Sequence, residues 1–408
     1  MLMVSIWVRL VECNTIQEWA ALKKTKRPNI ITLTLIFTAL AILFNAPFVS
    51  GADENMVSNK ATEEKSTFDR IWGLLTLYEN EDNAVLQEFR FIGRYQGQYY
   101  RVKGDTGKDH EWENRRLRFG FRGRFAREFS FKLEVEFKDF GPIYNSLTEA
   151  YVGWEPSEEF HFALGKVMAR YTQEGSTSSN EILTFERSLL VTQVWPVPEY
   201  LTGVSADGKL GRGRFLYRVG AFAGDLEEEF SDFDSGFGYL ASVGYDFGKG
   251  TGLNRGRVHL DGFHNDGDPG NDALQDYENV LSLRSDSKFG KFGLLTDLIF
   301  AQGLRNVSDV WGFILLPSYD ITKKLQAVIR YQHAGSDDPD GLIAIKRYEK
   351  AAGGGTGDNY NAGYGGLNYY FYGHKFKLMT GVEYSKLKGG TNAGWDGWTV
   401  LAGVRMNW

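Results

Sequence analysis

Residues 114–125 read NRRLRFGFRGRF, a stretch in which arginine alternates with large apolar side chains. Four arginines occupy even positions: Arg116, Arg118, Arg122 and Arg124. The apolar residues occupy odd positions: Leu117, Phe119, Phe121 and Phe125. Because consecutive side chains of a β-strand point to opposite faces, this stretch predicts a strand with one apolar face and one face of guanidinium groups.

The same period of two recurs from about Leu74 to the last residue. Residues 129–137 alternate phenylalanine, leucine and valine with serine and charged residues, and they follow the strand above after a very short turn, which predicts a hairpin. Further alternating segments are found at 212–219, 239–247, 325–332, 376–384 and 398–408. The fold class is therefore predicted to be all-β.

The connections between these segments are of two kinds. Some are tight, whereas others are long, glycine-rich and acidic, as at 264–276, 335–341 and 351–363. Short turns at one end and long loops at the other are typical of a transmembrane antiparallel β-barrel of the outer membrane. A soluble β-sandwich or β-helix would also alternate, but the polar face here carries too many charges to form a packed core.

The N-terminal residues have the features of an export signal. A basic segment, an apolar run from Ile30 to Phe44 and a small-residue end at Ala52 predict a signal peptide over residues 1–52, with a true translation start near Leu22. Residues 53–70 are predicted to be a short polar periplasmic lead-in, and residues 71–408 the barrel. The single cysteine, Cys13, lies in the removed segment, so no disulfide is expected.

The arginine face is predicted to line the lumen. An arginine on the lipid face near the midplane would cost about 2–4 kcal/mol, and rows of cations in a pore select anions. The row continues at Arg94, Arg212 and Arg214. The alternative is that Glu134 and Glu136 of the next strand neutralise the arginines, which would then only brace the wall.

Three motifs resemble the phosphate-selective porin O/P family: NRRLRFGFRGRFAREFSFKLEVEF from residue 114, TEAYVGW from 148 and LGKVMARYTQEGSTSSNEILTFERSLL from 164. The resemblance extends over about residues 86–190. It implies a barrel of about 16 strands, usually a homotrimer, with the third loop, residues 165–200, folded into the lumen as the constriction. Arg115 and Arg116 correspond to the family's arginine pair, and Arg187 to the arginine of its E-R element.

Within the implied constriction, Lys166, Arg170 and Asn180 are the candidate polar residues. Asn180 stands where the family's phosphate-selective members have a lysine after T-S-S, and Arg118 stands where a tyrosine is expected. The chain therefore retains the arginines but has lost one point charge at the narrowest place. This loss is expected to weaken phosphate binding while small anions still pass.

The predicted function is passive diffusion of small anions across the bacterial outer membrane, with phosphate-type oxyanions as leading candidates. The alternatives are a general, sugar or dicarboxylate porin and a structural or adhesive barrel with ion-paired lumen charges. We expect no enzyme activity, cofactor or metal site, because no catalytic motif or metal-ligand spacing is present. Outer-membrane lipid and lipopolysaccharide are expected contacts, and the formal net charge of −6 argues against nucleic acid.

Overall fold

The computed structural model describes residues 66–137, 144–196, 199–225, 229–248 and 251–408. The predicted signal peptide, the alternative start near Leu22 and residues 53–65 of the lead-in lie outside these residues. The rest of the lead-in begins helix α1 (Thr67–Gly73), whose N-cap Ser66 and third residue Asp69 form a capping box. No helix among the described residues has the length and apolarity needed to cross a membrane.

Sixteen long strands form a closed antiparallel barrel within the described residues. The first eight are β2 (Leu86–Gly104), β3 (Lys108–Phe125), β4 (Phe129–Phe137), β5 (Tyr144–Ser157), β6 (Phe160–Met168), β7 (Tyr200–Leu210), β8 (Phe215–Ala223) and β9 (Phe237–Asp246). The other eight are β10 (Arg255–Asn265), β11 (Tyr277–Phe289), β12 (Phe292–Gly303), β13 (Val310–Asp320), β14 (Leu325–Ser336), β16 (Thr356–Tyr372), β17 (Phe376–Gly389) and β18 (Trp395–Asn407). The remaining elements are short: β1 (Thr76–Glu79), β15 (Leu342–Ile343), α2 (Gln173–Ser176) and α3 (Leu189–Val194).

The barrel closes between its last and first long strands. β18 pairs with β2 from Gly397 opposite Gly104 to Asn407 opposite Arg94. β1 then pairs with the part of β2 that β18 does not reach, and Trp72 of α1 donates its indole N–H to the carbonyl of Asn407 at 2.7 Å. Closure removes open sheet edges, which a membrane interior does not tolerate. The predicted transmembrane β-barrel of about 16 strands is confirmed.

The alternation in residues 114–125 separates two environments, as predicted. Arg116 and Arg118 are buried inside the barrel, whereas Phe121 is 38% exposed on its outer face. The outer phenylalanines stack across strands, with Phe89 and Phe121 ring centroids 5.2 Å apart. An apolar, aromatic outer surface is what a lipid-facing barrel wall presents.

The two ends of the barrel differ in the length of their connections. Turns such as 126–128, 158–159 and 290–291 are short, whereas the connections 169–199 and 337–355 at the other end are long. Both ends of the chain segment that forms the barrel lie with the short turns. Since outer-membrane barrels turn briefly in the periplasm, the long connections lie on the external side.

The lumen wall is not uniformly polar, which differs from the polar-in pattern expected along the chain. Across β10–β14, the inward side chains include a set of buried apolar residues: Phe263, Val280, Ile299, Ile314 and Val328. The barrel interior thus has an apolar side on these strands and an arginine-rich side on β2 and β3. This asymmetry determines where the third loop packs.

Candidate functional site

The third connection at the external end, residues 169–199 between β6 and β7, is the third loop, and it folds into the lumen. Its helix α3 buries Leu189, Leu190 and Val191 in the same apolar cluster as the inward residues of β10–β14. Leu190 lies so close to Gly312 that a Cβ built on that glycine would be 2.9 Å from the Leu190 Cδ2 atom. The apolar side of the wall therefore holds one flank of the loop by close packing. The predicted inward third loop is confirmed.

Backbone hydrogen bonds fix the same flank. The N–H of Thr172 donates to Asp261 at 3.0 Å, and the N–H of Gln173 donates to Asp297 at 2.6 Å. The N–H of Leu189 donates to the side-chain oxygen of Gln332 at 2.9 Å. Each bond satisfies a loop donor that is buried away from bulk water, which would be costly to leave unpaired.

A β-bulge on β3 brings the arginine pair to the lumen together. Gln96 is opposite Arg116 and Gly97 is opposite Asn114, so Arg115 is the extra residue between them. A bulge disturbs the strict alternation of side chains. As a result Arg115 and Arg116, although adjacent in sequence, both contact the third loop or its end. The period-two pattern alone would have placed Arg115 outside.

The arginine pair is tied to carboxylates of the loop. Arg115 lies 2.6 Å from Glu186, and Arg116 lies 3.1 Å from Glu199. Arg187 also reaches Glu199, at 2.8 Å, and its guanidinium lies 4.5 Å from the centre of the Trp195 ring. Burial opposes ionisation of Glu199, but the neighbouring arginines outweigh it and hold its pKa well below the usual range.

Two further arginines surround Glu134 of β4. Arg94 lies 3.1 Å from Glu134 and donates to the hydroxyl of Ser179 in the loop at 2.6 Å. Arg118 lies 3.0 Å from Glu136 and donates to the hydroxyl of Tyr200 at 2.6 Å. Arg94 and Arg118 are both buried, and their charges are compensated at short range. They hold the loop and wall together.

Below the loop, toward the short turns, the lumen contains a cavity of about 500 Å³. Its charged lining includes five cationic side chains: Arg94, Arg122, Arg124, Lys132 and Arg170. It also includes four carboxylates: Glu88, Glu134, Glu149 and Glu155. Cations therefore slightly outnumber carboxylates around this space.

Two of these cations are more accessible and more loosely paired than the arginines above. The side chain of Arg122 is 52% exposed and lies 3.6 Å from Glu88. The side chain of Arg170 is 36% exposed and lies 3.8 Å from Glu149. Ion pairs of this length and exposure contribute little energy, so these two guanidinium groups remain available to other hydrogen-bond acceptors.

The remaining predicted residues lie in three different places. Lys166 is on strand β6, 3.1 Å from Glu229, and not in the loop, because β6 continues to Met168. Arg212 and Arg214 lie in the exposed turn between β7 and β8 and not on a strand; the backbone of Arg212 has φ 58°. Asn180 is in the loop and lines the cavity, where its buried Oδ1 has no hydrogen-bond partner among the described residues.

One group of carboxylates has the proximity that a metal site needs. Asp225, Asp232 and Asp234 in the connection 224–236 offer oxygen atoms within 4.8 Å of one another. The group lies on a surface connection, and Ser231 donates to Asp225. Exposed acidic groups of this kind are common without an ion, and the cluster is separate from the lumen cavity.

Residues 89–275 match the family of phosphate-selective porins O and P. The resemblance seen over residues 86–190 is thereby confirmed, and it continues further along the chain than the motifs indicated. Together with the closed barrel, the match identifies the protein as a porin channel of the bacterial outer membrane. No curated protein has a matching sequence.

Solved porin structures share the fold at low sequence identity. The anion-selective porin from Comamonas acidovorans is 13% identical with a TM-score of 0.57, over 78% of this chain and 99% of that chain. OprB of Pseudomonas putida is 11% identical with a TM-score of 0.56, over 78% and 94%. The outer membrane channel DcaP of Acinetobacter baumannii is 14% identical with a TM-score of 0.51, over 81% and 100%. These similarities concern the architecture of the barrel.

Proposed function

We propose that this porin conducts small anions by passive diffusion, with phosphate-type oxyanions as the leading candidates. The observation that supports the proposal most directly is the cavity below the third loop, where Arg122 and Arg170 are partly exposed and only loosely paired. Guanidinium groups keep their charge at any physiological pH and present several donors to an oxyanion.

In this proposal the lumen arginines have two different tasks. Arg115 is partly buried and Arg116 and Arg187 are fully buried; all three form short ion pairs and position the third loop. Arg122 and Arg170 supply the field that attracts an anion from the periplasmic side. Weak contacts suit this role, because a solute that binds too tightly cannot leave the pore.

The environment of Asn180 supports a preference for anions in general over tight phosphate binding. Asn180 occupies the position where the family resemblance implies a lysine, and it lines the same cavity as Arg122 and Arg170. An amide there contributes a dipole in place of a full charge. The two arginines would then provide most of the attraction for phosphate.

The second candidate is a structural or adhesive barrel whose lumen charges only brace the wall. The dense pairing of Arg94, Arg115 and Arg118 with carboxylates favours it. A sugar porin would need aromatic rings that face the lumen space. Tyr151 lines the cavity, but Tyr171 is buried against Phe263 with ring centroids 4.8 Å apart. A homotrimer is also expected, on the family resemblance alone.

Uptake into proteoliposomes tests the proposal. The purified barrel should admit phosphate and acetate faster than glycerol-sized neutral solutes, relative to their diffusion in water. The double variant Arg122→Gln/Arg170→Gln should lower this anion preference several-fold. The control is Arg212→Gln/Arg214→Gln. It also removes two positive charges, but from an exposed turn, and it should leave the anion preference unchanged. Uptake independent of solute charge in the unsubstituted protein would contradict anion guidance, and no uptake at all would favour the braced barrel.

A further inference from the structure

The outer face of β14, β16 and β17 carries a groove centred on a glycine. Gly363 of β16 lies directly opposite Tyr331 of β14 on one side and Tyr384 of β17 on the other. All three side-chain positions face away from the lumen, in phase with the exposed Ile329 and Val382. The two rings therefore stand as walls on either side of a backbone that has no side chain.

The next outward row toward the middle of the barrel repeats this arrangement. Gly365 lies between Ile329 and Val382. A Cβ placed on Gly363 or on Gly365 would meet no atom within 4 Å. The two rows together form a slot about one side chain deep, and a cavity of about 450 Å³ lies over its upper part, from Gly363 toward the external end.

Hydrogen bonds hold the aromatic walls in place. The hydroxyl of Tyr331 donates to Asn361 at 2.9 Å, and the hydroxyl of Tyr384 donates to Asp396 at 2.6 Å. The Tyr384 ring also packs against Trp398, with centroids 4.7 Å apart. Since the walls are anchored in this way, the slot exists before any ligand enters it, which lowers the entropic cost of binding.

Cationic side chains line the external end of the groove. Lys386 and Lys388 of β17 border both this cavity and a second one of about 310 Å³, which also contacts Asp105, Asn392 and Asp396. Lys386 forms an ion pair with Asp396. Lys388 is exposed and forms no ion pair within the described part of the chain. An apolar slot with an available ammonium group at its outer end matches an amphiphile with an anionic head.

We propose that this groove binds the lipid A part of lipopolysaccharide, with one acyl chain over Gly363 and Gly365 and a phosphate near Lys388. The groove opens toward the long connections, which are on the external side, and lysine side chains reach the headgroup level along an apolar wall. The inference rests on the outer-membrane location of the barrel. It is independent of the solutes that pass through the lumen.

Native mass spectrometry of the purified full-length mature barrel, titrated with diphosphorylated lipid A, tests the proposal. We expect saturation at one lipid A per barrel. The variant Gly363→Leu/Gly365→Leu fills the open slot and should weaken lipid A binding about tenfold or more, because several methylene groups of the acyl chain lose their contact with the slot. Lys388→Glu should reduce the preference for diphosphorylated over dephosphorylated lipid A. The control Gly262→Leu adds the same side chain to the outer face of β10, where its Cβ would make ordinary contacts, the nearest at 3.7 Å.

Three results would overturn the assignment. The first is equal lipid A binding by the slot-filled variant and the unsubstituted barrel. The second is equal weakening by Gly262→Leu, which would show a general effect of bulk on the outer face. The third is a change in the number of barrels per complex on filling the slot, with lipid A binding unaltered, which would assign the groove to contact between copies of the chain. Heat-modifiable gel mobility confirms that each variant is folded.

Discussion

Arg115 of strand β3 and Glu186 of the third loop form a two-pronged ion pair, with the Nε–Oε1 distance at 2.6 Å and the Nη2–Oε2 distance at 3.0 Å. The pair joins the bulge in the wall to the part of the loop that crosses the lumen. Arg347 of the external connection also approaches Glu186, at 3.8 Å. Glu186 therefore connects three parts of the chain that are far apart in sequence.

Removing the charge of Glu186 should destabilise the barrel. In Glu186→Gln, the largely buried guanidinium of Arg115, whose side chain is 17% exposed, loses its nearest counter-charge. Breaking a fully buried pair costs about 3 kcal/mol, and we expect a loss somewhat below that value. The free energy of unfolding in urea measures the loss. Glu158→Gln is the control, because Glu158 is 81% exposed and 3.8 Å from Lys209, so its effect should stay within about 0.5 kcal/mol. Equal effects of the two substitutions would show that the Arg115–Glu186 pair does not hold the loop.

Neutralising Glu199 should make the pore more anion-selective. Arg116 and Arg187 share this carboxylate. Glu199→Gln therefore removes one negative charge and leaves both guanidinium groups in the lumen without this shared partner. Single-channel recordings should show a higher ratio of chloride to potassium permeability and a noisier open state, because the loop is held less firmly. An unchanged permeability ratio would mean that ions do not pass near this cluster.

The loop should also depend on its apolar contact with the wall. Leu190 is completely buried in the cluster that joins α3 to β10–β14. Leu190→Ala should lower the free energy of unfolding by about 2–5 kcal/mol, the usual range for a cavity of this kind. Val152→Ala is a suitable comparison, since Val152 is 49% exposed on the outer face and its truncation should cost much less. A mild effect at Leu190 would indicate that the ion pairs alone retain the loop.

The external connection 344–355 should be sensitive to pH through Glu349. This carboxylate accepts hydrogen bonds from the N–H of Ile345 and the hydroxyl of Tyr360, and burial raises its pKa to about 7. Because its pKa is higher in the folded than in the unfolded chain, its stabilising contribution is complete at low pH and is lost as the pH rises through about 7.

Hydrogen-exchange protection factors of residues 344–355 provide the measurement. Protection should be higher at about pH 5 than at about pH 9, after correction for intrinsic exchange. Glu349→Gln, which stays neutral, should remove most of this difference. Identical pH dependence in the variant would exclude Glu349 as the group responsible.

The sequence predicts the barrel well because the rule behind it is local. Alternation at residues 114–125 and 129–137 indicates which face of each strand meets lipid. Each strand must present an apolar face to the lipid, so the pattern can be recognised in each strand separately. The hairpin turn at 126–128 follows from the same pattern. The family motifs predict the inward third loop, whereas the composition of the loop itself does not.

The detailed arrangement of the site depends on contacts that a single strand does not encode. The bulge that turns Arg115 inward depends on the pairing of β3 with β2. The partner of Arg116 is Glu199, a residue 83 positions away. The alternation that includes Arg212 and Arg214 predicts that they lie on a strand, but the strand ends before them, because Gly211 and Gly213 adopt positive φ values in the turn. One sign of the apolar inward residues of β10–β14 is present in the sequence, since Val328 occupies an inward position between the polar inward residues Gln326 and Arg330.

The central claim is that loosely paired lumen arginines guide anions, and the reversal potential across a planar bilayer under a KCl gradient tests it most directly. We predict chloride selectivity for the purified mature protein, a reversal potential that moves toward zero in Arg122→Gln/Arg170→Gln, and a chloride current that falls when phosphate is added. Cation selectivity, or the absence of current through a correctly folded barrel, would contradict the claim and would mean that the lumen arginines serve only to brace the wall.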